Sequence, residues 1–167
     1  MENGNTIKHR IGWIIFSAAG IMLVIKFYVI LSEQIGMLKM LHGVGELNRM
    51  RFLQYFNNYW LFIEPILIII SLTGFILRKR LGFQLSLTFV YFVIAYSLLH
   101  YLTPIDRHEN FHLGIVNWAV LVAILINIPL TVRIFSSEMT QQLQIKINLI
   151  SLFVGLSING IMLTITN

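Results

Sequence analysis

The chain has 167 residues, of which 57% are hydrophobic and only 11% charged, less than half of the about 25% with which a soluble domain covers its surface, so water is excluded as the solvent of this fold. The net charge of +5 comes from short groups of Lys and Arg at the ends of apolar runs, a pattern of topology signals that excludes a nucleic-acid surface. Cysteine is absent, which removes disulfides, thiolate nucleophiles and thiolate metal sites and leaves any metal chemistry to His and carboxylates.

Five apolar runs follow one another, over residues 11–32, 59–77, 81–102, 113–134 and 147–165. Each approaches the about 20 residues that a helix needs to cross ~30 Å of hydrocarbon. The expected fold is therefore all-α, a single multi-pass transmembrane helical bundle over residues 1–167 with five spans, or four if the last run is re-entrant. The first run is too long for the core of a signal peptide and no small-residue cleavage site follows it, so it is expected to remain as an anchor. Trp13, Tyr59, Trp60, Tyr101 and Trp118 fall near run ends, where amphipathic rings favour the headgroup region.

Cationic side chains near span ends are retained in the cytoplasm more often than translocated. An inside amino terminus collects Lys8, Arg10, Arg78, Lys79, Arg80, Arg133 and Lys146 on the cytoplasmic side, against Lys39, Arg49, Arg51 and Arg107 outside, seven against four. The expectation is an integral cell-membrane protein with its amino terminus in the cytoplasm and its carboxyl terminus outside.

The connection over residues 33–58 then lies outside. Ile35, Leu38, Leu41, Val44, Leu47, Met50, Leu53 and Phe56 recur every third residue in it, which is helical spacing. Gly43 and Gly45 are expected to divide it into an extension of the first helix and a short external amphipathic helix lying over the bundle.

Intramembrane polar residues are the first candidate sites, because a charge in hydrocarbon costs at least ~2.5 kcal/mol and asks for a partner or a task. Lys26 in the first run and Glu64 in the second have similar depth below the outer surface, ~8–9 Å at 1.5 Å per residue. They suit an ion pair, or a proton or cation site at Glu64 with a helix kink at the adjacent Pro65. Asn117, Asn127, Asn148 and Asn159 in the last two runs are expected to point inward. Asn148, Ser151, Gly155 and Asn159 follow at intervals of three and four and so share one small, polar helix face, suited to close packing within the bundle or between subunits, or to a water-lined path in an oligomer.

The densest polar chemistry is the external segment from His100 to His112, which contains His108-Glu109-x-x-His112. Over these five residues it resembles the zincin motif, in which imidazoles at i and i+4 share a helix face toward zinc and the intervening Glu activates the metal-bound water. The resemblance makes His108 and His112 ligands and Glu109 the catalytic base. A third ligand falls to His100 or Glu64, because the single aspartate, Asp106, lies within the same segment. A plainer reading makes Asp106 an N-cap and Glu109 its return partner at the start of the fourth span, with no cofactor required. The three histidines beside Glu64 and Lys26 also suit a proton relay. Arg107 and His112 match the spacing of HEPN-type ribonucleases, but an external bundle mouth is the wrong place for RNA.

Three function classes emerge. The first is a self-associating or partner-binding membrane module, a homo-oligomer or the companion of another membrane protein, with pore formation as one form of it. The second is a proton- or ion-coupled carrier built on Glu64 and Lys26, and the third a zinc-dependent membrane hydrolase built on the histidine segment.

Overall fold

A computed structural model describes residues 2–43, 60–102 and 109–166. They form six helices: α1 Glu2–Gly43, α2 Trp60–Leu77, α3 Arg80–Leu102, α4 Glu109–Asn127, α5 Pro129–Phe135 and α6 Gln141–Thr166. No strand occurs among the described residues. Three stretches are long and apolar enough to cross a membrane, Thr6–Gly36, Arg80–Leu99 and Gln141–Met162, and the bent pair formed by α4 and α5 makes a fourth if the two count as one span. Phe62–Leu77 is apolar but shorter.

The bundle is built around α3. Phe83, Leu87, Phe89, Val90, Phe92 and Val93 are buried on more than one side of it, against α2, α4 and α6, while α1 packs on α2, α4 and α5. The outer helices turn large apolar side chains away from the protein: Ile14, Ile21, Val24, Ile25 and Tyr28 on α1, Leu149, Phe153, Leu156 and Ile161 on α6. Such faces suit a hydrocarbon solvent.

Helices α2 and α3 are joined by Arg78 and Lys79 alone. Arg78 has φ 50°, the left-handed conformation that closes a helix and that glycine adopts at lowest cost. The two helices then cross at Gly74 and Gly82, where a Cβ on Gly82 would overlap the Gly74 carbonyl. Ser86 Oγ donates to the Gly82 carbonyl oxygen at 2.9 Å and lies 3.3 Å from that of Ser71. Below the crossing, Phe16 stacks on Phe75 and Phe135 packs edge-on or tilted against Phe16, Phe75 and Phe83, with centroid separations of 4.2–5.4 Å, locking α1, α2, α3 and α5 together at one end.

One expectation is corrected. The fourth run, 113–134, is not one helix: α4 ends at Asn127 and α5 leaves it at 72°. Pro129 lacks an N–H and drives Ile128 to ψ 131°, the extended backbone that precedes proline. Pro65, by contrast, lies inside α2 without dividing it. As expected, residues 33–43 continue α1 up to Gly43, making it 42 residues long and about 63 Å at 1.5 Å per residue, roughly twice the hydrocarbon thickness. The external amphipathic helix expected beyond Gly43 lies outside the described residues.

Candidate functional site

Lys26 of α1 and Glu64 of α2 come together within the bundle, with Lys26 Nζ 2.9 Å from Glu64 Oε1 and side-chain exposures of 12% and 30%. Equal depth on neighbouring antiparallel helices produces this pair. Beside it, Glu64, Phe92, Tyr96 and Met162 line a small cavity of about 30 Å³, which has room for about one water molecule. A paired, partly accessible carboxylate next to a water-sized void has the parts of a proton-exchange site.

A second polar group lies where α4 breaks. Tyr91 on α3 donates its hydroxyl to Asn148 Oδ1 at 2.5 Å, and Asn148 Nδ2 donates to Asn127 Oδ1 at 2.7 Å. Gln144 Nε2 donates to the Asn127 carbonyl oxygen at 2.9 Å. The bend turns the next amides elsewhere, the Thr131 and Val132 N–H groups both donating to the Ile128 carbonyl, so the Gln144 amide supplies the donor that a continuing helix would have given Asn127. The network closes the broken end of α4 onto α3 and α6.

On α6 the small polar face is used inside the chain. Ser151 Oγ donates to the Gln84 carbonyl oxygen at 3.1 Å and Asn159 Nδ2 to that of Phe92 at 3.1 Å. A Cβ on Gly155 would meet the backbone nitrogen of Phe92 at 2.8 Å, so the helices approach to backbone contact, as small residues permit.

Asn127, Asn148 and Asn159 therefore point inward as expected, but Asn117 does not. It is exposed on α4, whose buried residues are Ala119, Val122 and Ile126, about 140–180° away around the helix at 3.6 residues per turn. Asn117 has no hydrogen-bond partner among the described residues.

At the end marked by the phenylalanine cluster, an open pocket of about 740 Å³ is lined by Lys8, His9, Trp13 and Arg78, by Arg133 of α5, and by the aliphatic side chains of Ile76, Leu77, Leu130 and Ile134. The Arg78 guanidinium lies 5.2 Å from the centre of the Trp13 ring, within cation–π range. Trp13 Nε1 donates to His9 Nε2 at 3.0 Å. Arg133 also borders a neighbouring cleft of about 610 Å³ with Gln141, Gln144 and Asn148.

His108 of the zincin-like motif lies outside the described residues; His100, Glu109 and His112 have helical backbone, but their side chains are not among those described. Among the described residues no group of three or more His or carboxylate side chains is placed to hold a metal. Residue-by-residue reasoning missed Tyr91, Gln144 and the His9–Trp13 pair. Gln144, Asn148 and Asn127 are near the same inter-helix turn, so the depth matching that pairs Lys26 with Glu64 is the signal that finds them.

Comparison with known protein families, with curated proteins and with solved structures finds no match. The geometry alone carries the functional reading.

Proposed function

We propose that the chain is a five-span membrane protein, α2 being the second span and the α4–α5 pair the fourth, that acts as a self-associating or partner-binding module. The observation that carries this is Asn117. Its amide is turned out of the bundle from α4, four residues or about 6 Å inside the start of the fourth run, and meets no hydrogen-bonding group of the described chain there. Gly114, Leu121 and Ile124 are exposed with it at helical spacing, and a Cβ on Gly114 would meet nothing within 4 Å. A second helix seated there would reach the Asn117 side chain over a small residue. The α6 polar face is already occupied by α3, so a pore lined by that face would require the two helices to separate.

Single cysteines at 114, 117, 121 and 124 test the proposal, because the natural chain carries none to interfere. Oxidation in the native membrane is expected to yield cross-linked species at 117 and its helical neighbours and none at the buried position 122. Absence of any cross-link, with a monomer mass in mild detergent, would remove this reading.

A second reading is favoured by the Lys26–Glu64 pair and its adjoining cavity: a proton- or ion-coupled carrier. Reconstituted vesicles with an internal pH dye would report proton movement dependent on Glu64; identical traces for the natural chain and Glu64→Gln would dismiss it.

A further inference from the structure

The basic pocket at the α1 amino-terminal end is independent of both readings. Lys8, Arg78 and Arg133 come from three separate elements, α1, the α2–α3 turn and α5, and converge on one concavity. Among the described residues none of them has a carboxylate within ion-pair distance. All three are exposed, and positive charge concentrated on one concavity attracts an anion. His9 lines the same pocket and accepts from Trp13 through Nε2.

Arg78 carries the argument further. It occupies a left-handed backbone position where glycine is the cheaper residue, yet the side chain there is a guanidinium laid over Trp13 at the pocket wall. The αL cap of α2 thereby places this guanidinium at the pocket wall. One wall is aliphatic, and Ile76 and Leu77 on it are 72% and 59% exposed, so the anion has an apolar continuation. A phosphate carrying acyl chains meets both demands, whereas a free phosphate meets only the first.

We propose that this pocket binds the phosphate headgroup of an anionic phospholipid, with the acyl chains lying along Ile76 and Leu77. Basic pockets between transmembrane helices on the cytoplasmic side recognise such headgroups. The inference rests on membrane embedding and not on self-association.

Native mass spectrometry of the full chain in detergent, titrated with phosphatidylglycerol, phosphatidylcholine or inorganic phosphate, tests it. One phosphatidylglycerol is expected to stay bound under activation that strips phosphatidylcholine, with inorganic phosphate at millimolar concentration failing to displace it. Lys8→Gln and Arg133→Gln should each weaken retention about fivefold, the effect of one cation near an anionic surface. Arg78→Gly should do the same while easing the turn, and Arg133→Gln on the exposed face of α5 serves if that variant does not fold. Lys79→Gln with Arg80→Gln removes two exposed charges next to the pocket and should change nothing. Equal loss in that control would reduce the effect to bulk surface charge and overturn the proposal. Equal retention of phosphatidylcholine would overturn it as well, as would displacement by inorganic phosphate, which would make this a free-anion site.

Discussion

Lys26 Nζ stands 2.9 Å from Glu64 Oε1, an ion pair tying the first helix to the second inside the apolar bundle. Removing one member leaves the other charge without its partner, which costs more than removing both. Glu64→Gln and Lys26→Met are each expected to lower stability by roughly 3 kcal/mol, and the double variant to recover most of that loss. Thermal unfolding in detergent, arranged as a double-mutant cycle, measures the coupling. Strictly additive losses would mean that the two side chains do not act as a pair.

The Tyr91–Asn148 hydrogen bond should be visible in the same way. Asn148→Leu strands the Tyr91 hydroxyl, while Asn127 Oδ1 keeps Gln144 Nε2 at 3.2 Å; Tyr91→Phe added to it removes the stranded group. A coupling of about 1 kcal/mol is expected. A value indistinguishable from zero would place the network among exposed, water-satisfied contacts.

Close helix packing predicts a sharp contrast among glycines. Gly155→Ala drives a methyl group into the backbone of α3 and should cost about 1–3 kcal/mol through overpacking. Gly82→Ala faces the Gly74 carbonyl and should cost at least as much. Gly160→Ala, with nothing within 4 Å of its Cβ, should stay within about 0.5 kcal/mol of the natural chain. Comparable losses at 155 and 160 would contradict the α3–α6 contact.

Orientation is testable with reporters that the sequence makes clean. Lys79→Cys lies at the cation-rich end and Gly36→Cys on α1 beyond the Lys26–Glu64 level. With the amino terminus in the cytoplasm, a membrane-impermeant maleimide applied to intact cells should label position 36 and spare position 79 until the membrane is opened. The reverse pattern would invert the topology and place the basic pocket outside.

The zincin-like segment has its own measurement. Under the module reading the purified protein carries well under one zinc per chain, and His108→Ala and His112→Ala leave its oligomeric mass unchanged. One zinc per chain, lost in both variants, would establish a metal centre and restore the hydrolase reading.

Sequence alone was sufficient for what depends on solvent and on position along a helix. Long uncharged runs need hydrocarbon around them, and the turn of Arg78, Lys79 and Arg80 must leave it, so helices apolar enough to span and a cation-rich end follow from composition and order. Equal depth likewise pointed to Lys26 and Glu64, because rise per residue converts sequence number into height. What height does not contain is rotation, and rotation was decided by packing. Asn117 faces out because Ala119, Val122 and Ile126 are the side of α4 that fits against the core. Asn159 faces in because Gly155 lets α6 approach α3 until its amide reaches the Phe92 carbonyl. The 72° bend at Pro129 depends on a partner too: proline breaks the ladder, but Gln144 from another helix satisfies the opened end. The basic pocket belongs to the same class, since Lys8, Arg78 and Arg133 lie far apart in the chain and meet only because three helix ends are fastened by one cluster of phenylalanines.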